Sequence, residues 1–229
     1  FFYFKESFLN HFTSTKDKLN RENIILYEKP SFYGNLKVVG LKPQNQNKIT
    51  QYILFQNGGR QNGMSSSGHS IHAFTYVLVS LSELSNIGNA LVLGLGAGII
   101  PKKLASKGFK VDAVDIDPIT LDIAKNFFRY KPKNTSFFFE DARTYVKNCE
   151  KKYDLIIIDL FFSDGVPEHL TTKEFYKNLG NCLNDNGVVL SNSLMDFSNK
   201  LALNSVLSTF NNQFDDLHFF HIPAAEIGN

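Results

Sequence analysis

Acidic residues stand at the ends of apolar runs, and that placement is the first chemical signal in the chain. Asp115 and Asp117 close the run that starts at Lys110, Asp141 follows the phenylalanines before it, and Asp159 ends Tyr153-Asp154-Leu155-Ile156-Ile157-Ile158, with Asp164 shortly after. A carboxylate so placed can accept hydrogen bonds from sugar hydroxyls, neutralise an ammonium, or take a proton from a nucleophile. Each can also be only the N-cap of a following helix, which is the simpler explanation for Asp117 and extends to Asp141. Asp159 lies at the mouth of a strand that reads as buried on both faces. It is either catalytic or a cap for the following loop, and catalysis is favoured because clefts at strand ends are where perturbed carboxylates collect.

The elements that must position these acids begin at Ala90. Leu91 to Leu93 lacks polar alternation, as expected of a strand covered on both faces. Gly94, Gly96 and Gly98 then form G-x-G-x-G, which lets the backbone turn sharply and approach a ligand. Pro101 suits the first turn of a helix. The next strand delivers Asp115 where nucleotide-binding folds place the carboxylate that takes ribose hydroxyls. The glycines alone would indicate only a tight turn. With strand, helix and a correctly spaced acid, they point to a nucleoside site.

Downstream, strands are expected at 90–94, 110–115, 135–139, 153–159 and 187–192, and helices at 99–107, 118–129, 142–149, 172–183 and 199–210. Such alternation argues a parallel sheet with helices on both faces, its ligand at the carboxyl ends of the strands. Asp117-Pro118 reads as a helix start, and Thr171 with Glu174 as a capping box. Upstream, Ile24 to Tyr27, Leu36 to Leu41 and Tyr52 to Phe55 are short β-rich runs, and Asn57-Gly58 is a hairpin signal. Residues 1–65 are therefore expected to form an arm and a small antiparallel β-domain, and residues 66–229 the α/β catalytic domain. Gly63 to Gly68 reads as a flexible connection, followed by a helix from Ser70 to Leu84 that packs Phe74, Val77, Leu78 and Leu81.

Composition narrows the function classes. The chain has 229 residues, enough for a substantial core, and a formal charge of +2 without a long basic run, so no nucleic-acid partner is expected. Cys149 and Cys182 are the two cysteines, far apart and without a metal-ligand spacing; reduced thiols of a cytoplasmic protein and no metal are expected. The chain opens on Phe1-Phe2-Tyr3-Phe4 and not on Met, which leaves open a fragment or processed product, with a membrane tether upstream.

Taken together, these residues resemble the polyamine aminopropyltransferases, the spermidine synthase family, within the Rossmann-like S-adenosylmethionine-dependent transferases. The resemblance runs from about Tyr27 to the end. It is strongest over Tyr153 to Leu170, then Phe175-Tyr176 and an Asn186-Gly187 turn, and looks most like the branch in which a synthase-like domain can be fused to membrane segments. It implies a Rossmann-like fold with a small N-terminal β-domain, and a homodimer. Asn57-Gly58-Gly59-Arg60-Gln61 resembles the hairpin that presents a glutamine, here Gln61, to the nucleoside. Asp115-Ile116-Asp117-Pro118 is similar to the family's ribose-holding acid and its neighbour. Asp141-Ala142 resembles the step that reads the adenine amine, and Asp159 falls on the general base.

The activity so implied is aminopropyl transfer from decarboxylated S-adenosylmethionine to a diamine such as putrescine, with methylthioadenosine as product. Asp164 and Glu168 are the candidates for the diamine's far ammonium. The alternatives are a methyltransferase using S-adenosylmethionine itself, because one scaffold hosts many transfers, and an idle nucleoside-binding domain. The chain departs from the family pattern at Ala97, where the glycine motif carries an acid, at Phe162, and over Ser70 to Tyr76, where acids and a tyrosine usually grip the amine. His69 and His72 read as surface or packing residues. At the end of the chain, Leu217 to Ile222 is expected to form a late strand that Pro223 breaks. The family's closing strand is expected to be missing from the sequence, leaving a slot for a longer chain or a neighbour.

Overall fold

The computed structural model describes residues 21–160, 168–192, 208–214, 216–220 and 222. The N-terminal arm, residues 199–207 of the last expected helix and residues 223–229 lie outside them. Four strands come first: β1 (Glu22–Ser31), β2 (Gly34–Lys42), β3 (Gln51–Gln56) and β4 (Gly59–Ser65). They pair in sequence order as an antiparallel meander. The expected hairpin forms: Asn57 and Gly58 take φ of 49° and 79°, the left-handed pair that joins β3 to β4 with the twist of the strands.

β4 corrects the reading of Gly63 to Gly68 as a flexible connection, since Gly63 to Ser65 lies within this strand. Its sequence, GRQNGMS, has little β propensity. Pairing with β3 and the burial of Met64 hold it instead. Gly63 permits close approach, because a Cβ there would lie 2.5 Å from Cδ1 of Ile71.

From Ala73 onward the alternation appears as expected. Helix α1 (Ala73–Leu81) runs into a 3-10 turn, and then come β5 (Asn89–Leu93), α2 (Ile99–Ser106), β6 (Lys110–Asp115), α3 (Ile119–Phe127), β7 (Thr135–Phe139), α4 (Ala142–Lys147), β8 (Tyr153–Ile158), α5 (Lys173–Cys182) and β9 (Leu183–Ser191). The five strands form a parallel sheet in the order β7-β6-β5-β8-β9. The chain thus winds outward from β5 to β7 and then returns to the other side of β5, so the switch point lies between β5 and β8.

Burial explains why β5 and β8 read as continuous apolar runs. Ala90, Val92, Leu155 and Ile157 face Leu78 of α1 and Ile100 and Leu104 of α2. Their alternates Leu91, Leu93, Ile156 and Ile158 face Val146 of α4 and Phe175 and Leu179 of α5. A third cluster joins the two sheets: Leu36, Val38, Leu54 and Met64 of the meander pack on Ala97, Ile99, Ile123 and Phe128. At the amino ends of the strands the sheet is closed by polar groups. The Tyr153 hydroxyl and Lys151 Nζ both donate to Asp112 Oδ2, at 2.8 and 2.7 Å, and the Tyr145 hydroxyl is 2.5 Å from that of Tyr153.

Three local expectations are corrected. The cap of α5 is Thr172, whose Oγ1 accepts from Phe175 N at 3.2 Å, one residue beyond Thr171. Asn186-Gly187 is no separate turn between α5 and its strand. α5 passes directly into β9, whose pairing jumps from Leu183 opposite Tyr153 to Val188 opposite Leu155, so these residues form a bulge. The described part of Leu217 to Ile222 is irregular, and Phe219 and Phe220 are exposed.

Candidate active site

A cleft opens at the carboxyl ends of β5, β6, β7 and β8, roofed by the meander. It is lined by Leu36, Leu54, Gln56, Gln61 and Asn62 on one side and by the strand-end residues on the other. The sequence-expected residues Gln61, Gly94, Gly96, Asp115, Ile116, Asp141, Ala142 and Asp159 all line it.

The turn after β5 is built by close approach. Gly94 has φ of 96° and donates its N–H to Val114 O at 2.8 Å; a Cβ there would sit 2.2 Å from the carbonyl oxygen of Asp159. Two strand ends therefore abut at the switch point with no room for a side chain. Gly98 differs from the other two glycines. It is not among the cleft residues; it takes φ of 71° at the start of α2, and a Cβ there would lie 2.9 Å from Cγ of Tyr130.

Asp115 is oriented by backbone amides. Its Oδ2 accepts from Leu95 N and its Oδ1 from Asp117 N, both at 2.9 Å. Burial nevertheless raises its pKa above the ordinary carboxylate range, against the opposing amides of Asp117, Leu95 and Gly96. Each oxygen keeps a lone pair for a further donor, the arrangement a vicinal diol requires. Asp117 is the buried helix starter expected of it, with Oδ1 accepting from Ile119 N at 3.0 Å, and it does not line the cleft.

Asp141 is indeed an N-cap, accepting from Thr144 N at 3.0 Å. Its second oxygen stays on the cleft side, 3.4 Å from His169 Nε2. Glu168 opens the 3-10 turn Glu168–Leu170 that carries His169, while Asp164 and Phe162 lie outside the described residues. His69 and His72 do not line the cleft; His69 Nδ1 is 3.0 Å from the Ser67 hydroxyl.

Asp159 extends β8 past its last paired residue, its N–H donating to Leu93 O at 2.9 Å. Burial pushes its carboxyl up from an ordinary 3.8 to about 6, opposed by a hydrogen bond that Asn192 Nδ2 donates to Oδ1 at 2.9 Å. A carboxylate so placed is ionised at neutral pH and close enough to its midpoint to accept and release a proton. Asn192 was missed from sequence. It follows β9 as Asp159 follows β8, and only the pairing of those two strands shows that their side chains meet. Gln56, Asn62, Thr120, Glu140 and His169 also line the cleft without having been singled out as ligands. Among the described residues no three His, Cys, Asp or Glu side chains converge as metal ligands.

Comparison with known proteins bears on the family and the fold. Residues 75–226, more than half of the chain, match the spermine/spermidine synthase domain. A polyamine aminopropyltransferase of Vibrio vulnificus is 34% identical over 165 residues, covering 68% of this chain and 54% of that protein, so the chain spans about half the length of this relative. An N-terminal histidine N-methyltransferase of Emericella nidulans is 36% identical over 130 residues, or 53% of this chain and 23% of that one. A crystal structure of spermidine synthase in complex with the transition state analogue AdoDATO superposes with a TM-score of 0.70, covering 87% of this chain and 67% of that one. Its identity is 17%, so that likeness concerns the fold, a Rossmann-like sheet preceded by a small antiparallel one. On the matched domain and the shared architecture, the chain belongs to the spermine/spermidine synthase family.

Proposed function

We propose that the chain moves an aminopropyl group from decarboxylated S-adenosylmethionine to a primary amine of a diamine such as putrescine, leaving methylthioadenosine. The observation that carries this reading is Asp159: a carboxylate held by Asn192 and poised near neutrality, in the same cleft as the amide-oriented Asp115. The donor supplies an electrophilic methylene next to a sulfonium. The amine lone pair forms the C–N bond as the C–S bond breaks, and the departing pair neutralises the sulfur.

Each residue has a part in that account. Asp115 holds the ribose hydroxyls, and Asp141 with Ala142 faces the adenine. Gln61 reaches the nucleoside from the meander, while Gly94 and Gly96 leave room for the sulfur side. An alkyl ammonium has a pKa of roughly 10.4, so the nucleophile arrives protonated and must lose a proton. Asp159 accepts it and keeps the nitrogen in line. Asp164 and Glu168 remain the proposed partners of the far ammonium.

A second reading is methyl transfer from S-adenosylmethionine, favoured by the fungal relative whose name states that activity. One experiment separates the two: mass spectrometry of products after incubation with each sulfonium donor and a panel of amines. Methylthioadenosine with an aminopropylated amine supports the proposal, and S-adenosylhomocysteine with a methylated product replaces it. Asp159→Asn should cut turnover roughly a hundredfold while nucleoside affinity holds. Equal losses in both would make Asp159 a structural cap.

A further inference from the structure

The two walls of the cleft differ in charge. Among the described residues its lining carboxylates, Asp115, Glu140, Asp141 and Asp159, all come from the ends of the parallel strands. The meander contributes only uncharged groups, two leucines and the carboxamides of Gln56, Gln61 and Asn62. Asn62 is the most enclosed of these carboxamides, 8% exposed. Among the described residues no hydrogen bond reaches its side chain, although it lines the cleft. Its Nδ2 lies directly over the glycine turn, 2.8 Å from where a Cβ on Gly96 would be. An enclosed amide that finds no partner among the described residues is suited to find one in a ligand.

Strand order indicates which part of the ligand that is. The sheet runs β7-β6-β5-β8, so the groups at the strand ends are met in the sequence Asp141, Asp115, the Gly94–Gly96 turn, Asp159. With a base over β7 and a ribose over β6, the next station along the sheet is the turn after β5. The substituent leaving the ribose 5′ carbon therefore passes between Gly96 and Asn62 before reaching Asp159.

We propose that Asn62 meets the side chain carried on the ligand's sulfur, and that its neutral amide admits that side chain with or without a carboxylate. An amide presents an acceptor oxygen to an ammonium and a donor nitrogen to a carboxylate, and rotation of the group exchanges the two. A carboxylate at this place would favour the ammonium and repel the acid. Selection of the decarboxylated donor is thus not made by charge on this wall. The inference rests on the nucleoside reading of the cleft given above, but it concerns binding and not turnover.

The test is calorimetry with three thioethers that cannot react: methylthioadenosine, decarboxylated S-adenosylhomocysteine and S-adenosylhomocysteine. In the unmodified protein the affinities of the last two set a reference ratio, to which the carboxylates of the opposite wall also contribute. Asn62→Asp should widen that ratio about thirtyfold in favour of the decarboxylated compound. Asn62→Leu should weaken both of these about tenfold while methylthioadenosine changes less than about threefold. An unmoved ratio in Asn62→Asp overturns the inference. Equal weakening of all three compounds by Asn62→Leu also overturns it, since Asn62 would then only shape the cleft. If none of the three binds the unmodified protein, the nucleoside reading falls as well. If all bind and the ratio is unmoved, this inference alone falls.

Discussion

Replacing Asp159 by Asn should stabilise the fold at neutral pH, and the size of the gain follows from the site. Burial raises the folded-state pKa of this carboxyl from 3.8 to about 6. The fold therefore prefers the protonated form. The stability linked to this group is complete below about pH 3.8 and is lost as the pH rises through about 6. At 1.36 kcal/mol per pH unit, ionising the group inside the fold costs about 3 kcal/mol at the limit. Screening at the open side of the cleft brings that to about 2 kcal/mol. Asparagine has the same shape, never ionises, and still offers Asn192 an acceptor oxygen. At pH 7.5 the variant should be about 2 kcal/mol more stable, a rise of roughly 4–8 °C in Tm for a chain of this size. Near pH 4 most of the difference should vanish. Urea and thermal melts of both proteins at pH 4, 6 and 7.5 measure this directly. A variant no more stable at pH 7.5, or a gap independent of pH, would refute the assignment of a half-buried, destabilising charge to Asp159.

Other outcomes follow from single contacts. Asp115→Ala should weaken methylthioadenosine binding by about 1.5–3 kcal/mol in calorimetry, and unchanged affinity removes Asp115 from the ribose. Thr172→Ala breaks the cap on Phe175 N and a 2.8 Å bond from Arg143 Nη1, and should cost about 1 kcal/mol in urea melts. Gly94→Ala forces φ of 96° on an L residue and drives its Cβ to 2.2 Å from Asp159 O, so a loss of at least about 2 kcal/mol is expected. A fully stable Gly94→Ala protein would mean that the two strand ends can part.

The parallel half of the fold was legible because its signals are local: apolar runs without alternation, glycine turns, Asp-Pro at a helix start. The acids at the strand ends were legible for the same reason, since the end of a strand is visible in one dimension. What escaped depends on partners distant in sequence. β4 has a polar, glycine-rich sequence and is a strand because β3 offers a ladder and Met64 a buried place. Gly98 sits in the same motif as Gly94 and Gly96, yet packs against Tyr130, which no spacing rule reveals. The Thr171-Thr172 pair offers two adjacent caps, and helix phase selects the second. Asn62 lines the cleft from β4, and Asn192, just after β9, bonds Asp159; both became visible only when the sheets were assembled.

The cluster shared by the two sheets bears on how the cleft is filled and emptied. Swinging the meander away as a hinged flap would strip Leu36, Val38, Leu54 and Met64, each no more than 1% exposed, from their seats on Ala97, Ile99, Ile123 and Phe128. At about 1.5–3 kcal/mol per side chain, that motion costs about 6–12 kcal/mol. This is comparable to the whole stability of a typical domain. Roof and floor thus behave as one rigid vault, and small molecules must pass through its open side while both walls stay shut. Removing residues 21–65 would not yield a lighter version of the same protein. It would leave an apolar surface where the roof had been.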